Sequence, residues 1–265
     1  MSSAPLDLLR ELTEGAVEDA KKRERDLPFE SLLRRAKAAR QPIDVVRALR
    51  PAERVHVIAE VKRASPSKGR LSDIPDPADL AGEYERGGAS CISVLTESRR
   101  FMGSLDDLRA VRAEVDVPVL RKDFIATEYQ LLEAREAGAD IVLLIASVLE
   151  AAHLRQLHAY AEDLGLSVLV EVHDASEVDR ALGAGAKILG VNTRDLKTFE
   201  MHPERFAELR SRIPDGVIAV AESGVNDVSD VRRYRNDGAH AVLVGETLVR
   251  DGAPRARVAE FGGVR

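Results

Sequence analysis

Several short stretches of the chain carry acids and bases at spacings that could move protons. In V-H-V-I-A-E-V-K (55–62), Glu60 and Lys62 lie two apart. Residues two apart on a β-strand point to the same side, so this acid and this base leave one face together. Glu171 and His173 repeat the spacing in V-L-V-E-V-H, and Asn192 and Arg194 repeat it in G-V-N-T-R. Lys122 and Asp123 close P-V-L-R-K-D, Ser93 and Thr96 fall in C-I-S-V-L-T, and Glu222, Ser223 and Gly224 end A-V-A-E-S-G. Glu60, Glu171 and Glu222 against Lys62, Lys122 and Arg194 suit general acid–base work on an anionic substrate. A lysine crowded by a second lysine has its pKa pushed below the ordinary value of about 10.4, which would suit a proton donor at neutral pH. The plain alternatives are a solvated pair at Glu60 and Lys62, or a network of strand-end ion pairs that only stabilises. Against the first, Val55, Val57, Ile58, Ala59 and Val61 form a run apolar on both faces, as in a buried parallel strand.

A second chemistry is anion binding. Gly224 in S-G-V-N and Gly245 in G-E-T-L, with Glu246 beside it, follow two late apolar runs. Glycine lets backbone N–H groups approach a phosphate with no Cβ in the way. Ser65, Ser67, Lys68 and Gly69 could close over the same anion from the other side.

The elements that must position these groups are repetitive. Eight apolar, β-branched runs are expected as strands: 55–62, 91–96, 117–123, 141–147, 167–172, 188–192, 217–223 and 241–246. Helical stretches are expected between them at 77–86, 104–114, 128–137, 150–164, 175–182, 203–212 and 226–236. Several end in a Gly-Ala turn that leads straight into the next strand, as at Gly138-Ala139 and Gly238-Ala239. Strand–helix alternation requires a parallel sheet, and eight such units fit a (β/α)8 TIM barrel. A doubly wound open sheet is the alternative, but no G-x-G-x-x-G follows the first strand. In a barrel the active site lies at the C-terminal strand ends, and that is where the polar residues collect. Residues 1–50 read as a helical extension packed on the barrel, with helices near 6–25, 29–40 and 43–49, and residues 51–265 as the catalytic barrel.

Composition narrows the class. Hydrophobic residues make up 45% and charged residues 32%, which describes a globular chain. The net charge of −6, scattered basic residues and the absence of Trp argue against nucleic acid. No apolar run reaches membrane-spanning length and no signal peptide is evident, so a cytoplasmic protein is expected. Cys91 is the sole cysteine and reads as a small core residue. The histidines show no metal-binding spacing, so no metal is expected.

Together these stretches resemble the indole-3-glycerol phosphate synthase family. The matching segments are I-A-E-V-K-R-A-S-P-S-K-G (58–69), I-S-V-L-T-E (92–97), F-M-G-S-L (101–105), P-V-L-R-K-D-F (118–124), L-V-E-V-H (169–173), G-V-N-T-R-D-L-K-T-F (190–199), A-E-S-G-V (221–225) and A-V-L-V-G-E-T-L (241–248). Thr193, Asp195 and Thr247 depart from the family's usual Asn, Asn and Ser. The resemblance implies a carboxy-lyase of tryptophan biosynthesis acting on a small phosphorylated substrate, without metal or organic cofactor. It implies Lys122 as general acid, Glu171 as the proton-transfer group in dehydration, and Lys62 either on the substrate carboxylate or as an assisting acid. Glu60, Asn192 and Ser223 would position hydroxyls and the lysines. Ser65, Ser93, Arg194, Glu222, Gly224, Gly245 and Glu246 would surround the substrate, and Phe101, Phe124, Leu143 and Leu196 would form an apolar slot for its aromatic ring. A monomer with no fused partner enzyme is expected. A sugar-phosphate isomerase acting on a related aminoketose, or a silent phosphometabolite-binding protein, are the competing readings.

Overall fold

The computed structural model describes residues 6–66, 69–70, 74–195, 198–250 and 252–265. Eight strands form a closed parallel barrel: β1 (His56–Val61), β2 (Cys91–Leu95), β3 (Val119–Lys122), β4 (Ile141–Ile145), β5 (Ser167–Val172), β6 (Ile188–Asn192), β7 (Ile218–Glu222) and β8 (Ala241–Val244). Closure is made on both sides of β1, with Ile58 beside Cys91 of β2 and Ala59 beside Val244 of β8. The expected TIM barrel is therefore present. Alternation sorts each strand. Ile58, Cys91, Leu120, Leu143, Leu169 and Val220 fill the barrel interior, while Ala59, Ile92, Val142, Val170 and Ala219 pack outward against the helices.

The crossover helices are α4 (Pro77–Arg86), α5 (Leu105–Glu114), α6 (Glu128–Glu136), α7 (Ala151–Asp163), α8 (Ala175–Gly183), α9 (Glu204–Arg210) and α10 (Val228–Asn236). Helices α5 and α10 start one and two residues later than the sequence suggests, because Ser104 and Asp227 are used as N-caps and accept backbone N–H groups of the first turn. The strand expected through Glu246 stops at Val244, and a short helix α11 (Glu246–Val249) begins there instead. The final helix α12 (Pro254–Gly262) was not expected. It buries Val258 and Phe261, and Val264 O beyond it accepts the N–H of Val55 just before β1.

The N-terminal helices α1 (Leu6–Asp26), α2 (Phe29–Ala38) and α3 (Val45–Ala48) run from one end of the barrel to the other. At the mouth, Asp19 and Glu18 of α1 pair with Arg99 in the loop after β2. Along the side, Arg23 pairs with Glu133, and Tyr129 Oη donates to Leu27 O at 2.9 Å. That cover explains why α6 is buried from Tyr129 to Arg135. At the floor, Ile43 N donates to Asp140 Oδ1 at 2.7 Å, and Val45 and Leu49 join the interior cluster.

Candidate active site

Inward-facing polar side chains collect at the C-terminal end of the barrel, where the strand parities require them. Lys62 Nζ lies 2.5 Å from Glu60 Oε1. Lys122, at the end of β3, faces three carboxylates from three other strands: Glu222 at 3.4 Å, Glu171 at 3.8 Å and Glu60 at 3.9 Å. Asn192 stands opposite Glu222 in the β6–β7 register. Its Nδ2 donates to Glu171 Oε1 at 3.1 Å, while its Oδ1 accepts from Ser223 Oγ at 2.9 Å and Arg194 N at 3.1 Å. The Asn192 amide is thus oriented by donors on one side and an acceptor on the other.

Electrostatics sort these groups by role. Burial opposes a charge on Lys122, but Glu222, Glu171 and Glu60 outweigh it and raise its pKa above the ordinary lysine value. This reverses the lowering expected from a neighbouring lysine, because three acids face Lys122. Burial works against the Glu171 anion, yet His173, Lys122 and Asn192 hold its pKa at about 2. Glu60 is likewise depressed, with Lys62 and Lys122 overcoming its burial. Burial and the nearby Glu171 push Glu222 the other way, to about 8. The site therefore holds ionised acids, a protonated lysine and one carboxyl that carries a proton near neutral pH.

Two interior positions are kept empty for these carboxylates. A Cβ on Gly190 would stand 1.9 Å from Glu222 Oε1, and one on Gly245 would stand 2.6 Å from Glu60 Oε1. The space beside Gly245, expected to admit an anion, is also the room that Glu60 occupies. Ser223 adopts φ +69°, a left-handed turn that costs a non-glycine residue of order 1 kcal/mol. That turn brings its hydroxyl to Asn192. Tyr234 Oη donates to Ser223 O at 3.2 Å beneath it.

Above the polar floor opens a cavity of about 230 Å³. It is lined by Glu60, Lys62, Ser65, Phe101, Lys122, Phe124, Leu143, Glu171, Asn192, Arg194, Glu222, Ser223, Gly224, Gly245 and Glu246. Ser93 is a different case: it is fully buried, opposite Glu60 in register, and does not line the cavity. Leu196, Ser67 and Lys68 lie outside the described residues. The Phe101 and Phe124 rings lie 6.1 Å apart, centroid to centroid, and form one apolar wall. Leu8, Leu9 and Leu12 of α1 complete the lining, a contribution not anticipated from their helical spacing. Glu97 went unnoticed too: its carboxylate accepts the N–H groups of Arg99, Arg100 and Phe101 at 2.8, 2.7 and 3.0 Å and so shapes the loop that presents Phe101. Asp123, at a strand end, also lines the cavity, and its carboxylate accepts from Thr96 Oγ1 at 2.6 Å and Arg121 Nη2 at 2.9 Å. Among the described residues no group of three or more His, Cys, Asp or Glu is arranged to hold a metal ion.

The family model described as indole-3-glycerol phosphate synthase matches residues 9–261, which spans the barrel and nearly all of the helical extension. The chain belongs to the indole-3-glycerol phosphate synthase family. It is 56% identical over 260 residues to the indole-3-glycerol phosphate synthase of Leifsonia xyli, covering 98% of this chain and 100% of the relative. The Micrococcus luteus indole-3-glycerol phosphate synthase is 52% identical over 261 residues, with 97% of each chain covered. Among solved structures, a thiamine phosphate pyrophosphorylase from Pyrococcus furiosus superposes with a TM-score of 0.60 at 15% identity, over 82% of this chain and 96% of that one. That likeness concerns the barrel fold alone.

Proposed function

We propose that the chain converts 1-(2-carboxyphenylamino)-1-deoxyribulose 5-phosphate to indole-3-glycerol phosphate, CO2 and water. The observation that carries this reading is Lys122, held protonated among three carboxylates at the inner end of a cavity with an apolar ring wall.

The ring carbon bearing the carboxylate attacks the substrate's carbonyl carbon. Lys122 delivers a proton to the carbonyl oxygen, which becomes a hydroxyl. Its raised pKa keeps that proton in place at neutral pH. The bond to the carboxylate then breaks, CO2 leaves, and the electron pair restores the aromatic ring. In the last step Lys62, released from the carboxylate once CO2 has left, gives a proton to the hydroxyl, which leaves as water, while Glu171 takes the proton from the neighbouring carbon. An acid at about 2 is a weak base in water, but it is fully ionised and desolvated here, beside the reacting carbon. Lys62 holds the substrate carboxylate. Glu60, Asn192 and Ser223 set the positions of Lys62, Glu171 and the substrate hydroxyls, and Glu222 orients Lys122. Phe101, Phe124 and Leu143 form the slot for the aromatic ring, with Leu196 assigned to it by family resemblance. Ser65, Arg194 and backbone N–H groups at Gly224, Gly245 and Glu246 take the phosphate.

The acting unit is the 51–265 barrel together with its 1–50 extension, working in the cytoplasm. A monomer fits the surface, where Met102 is the one exposed large hydrophobic side chain among the described residues. Incubating the purified chain with the substrate should yield one CO2 per indole chromophore formed. Substrate turnover without CO2 release would point to an isomerase and contradict the proposal.

A further inference from the structure

His173 sits one residue beyond β5 with the same parity as Glu171, and its ring is bracketed by two carboxylates. Nε2 lies 3.3 Å from Glu171 Oε1, and Nδ1 lies 3.2 Å from Glu177 Oε2. The Glu171 contact is ionic, since Nε2 has no aligned hydrogen-bond acceptor. A neutral imidazole would set a lone pair against one of the two carboxylates. Only the doubly protonated ring is attracted to both, donating to Glu177 and facing Glu171 as a cation.

The second carboxylate is itself fixed. Glu177 Oε2 also accepts the backbone N–H of His173 at 2.8 Å, and Glu177 N donates to the N-cap Asp174 at 2.9 Å. Arg180, one turn on, lies 3.7 Å from the other Glu177 oxygen. The first turn of α8 therefore forms a clamp on the ring. On its far side, Glu171 Oε1 is shared by His173 and Asn192, which leaves Oε2 facing Lys122. Glu171 lines the cavity and His173 does not.

We propose that His173, clamped by Glu177, is a positioning residue that keeps Glu171 ionised and turns its Oε2 toward Lys122 and the substrate. The proposal rests on the reading of Glu171 as the group that takes a proton in dehydration. The other charges facing Glu171 are Lys122 from β3, Glu60 from β1 and Glu222 from β7. Glu60 opposes its ionisation, as does Glu222 once it loses its proton, so only Lys122 and the Asn192 amide would hold the Glu171 anion once the imidazolium is gone. His173 follows suit: burial disfavours its charge, but Glu171 and Glu177 raise it to about 10, so the cation persists across the working range.

The test is the pH dependence of kcat in His173→Gln, with Glu177→Gln as a milder second variant that leaves the ring in place. Loss of the imidazolium raises the Glu171 pKa, so the acidic limb of kcat should move up by at least about one pH unit. At pH 7 kcat should fall about tenfold while KM changes less than roughly threefold. Glu177→Gln should move the limb in the same direction by less. In a Glu171→Gln background, His173→Gln should cost nothing further. An unmoved acidic limb, or an undiminished loss in the Glu171→Gln background, overturns the positioning role alone. Wild-type kcat in Glu171→Gln itself overturns the underlying reading of Glu171.

Discussion

Glu222 Oε2 lies 3.4 Å from Lys122 Nζ, yet Glu222 holds its proton up to about pH 8. Burial and the Glu171 anion outweigh the nearby lysine. The folded chain therefore binds a proton here that the unfolded chain releases near the ordinary carboxylate value of 4.5. Between those two values the folded state carries more protons, so this group's contribution to stability falls as pH rises. Glu222→Gln removes the titration. The stability of the variant relative to wild type should rise by at least ~1 kcal/mol from pH 5 to pH 8, read from urea unfolding. A difference independent of pH contradicts the shifted carboxyl.

Gly190 tests whether the interior gap exists for Glu222. A methyl there would meet Glu222 Oε1 at 1.9 Å, in a strand with no freedom to move aside. Gly190→Ala should destabilise the fold by ~1–3 kcal/mol. It should also lower kcat at least about tenfold by displacing the carboxylate from Lys122. Thermal melts and steady-state kinetics measure the two effects, and unchanged kcat would show that the position of Glu222 is immaterial.

Asp140 offers the opposite dissociation, stability without catalysis. It is fully buried at the barrel floor and accepts from Ile43 N, Val119 N, Arg112 and Arg40. It ties the N-terminal helices to β3 and β4 at the end of the barrel away from the cavity. Asp140→Asn leaves two guanidinium groups without their counter-charge and should cost ~2–4 kcal/mol. At a temperature where the variant is folded, kcat should stay within roughly twofold of wild type. A large kinetic defect would mean the floor is coupled to the mouth.

The barrel and most of the site were legible because both follow from strand periodicity. Inward parity at strand ends placed Glu60, Lys122, Glu171, Asn192 and Glu222 in one mouth with no long-range information. What parity cannot express is which groups meet across the barrel. Lys122 was expected to be lowered by Lys62, and instead three carboxylates from strands distant in sequence raise it. Gly245 read as an opening for an anion, because a missing Cβ does not say what fills its space; Glu60 is there. The pairing of His173 with Glu177 was local enough to see, at four residues' separation, but it depends on the turn into α8. The apolar stripe of α1 was clear, whereas its docking over the cavity through Leu8, Leu9 and Leu12 was not. A one-sided helix shows that it must be covered, and not by what.

The central claim is that Lys122 donates the proton that drives ring closure. Its most direct test is single-turnover formation of indole-3-glycerol phosphate by wild type and by Lys122→Ala, with the fold of each checked by melting. Wild type should convert the substrate with release of CO2, and the variant should remain folded but lose roughly two to four orders of magnitude in rate. A folded Lys122→Ala protein that turns over at the wild-type rate would contradict the account.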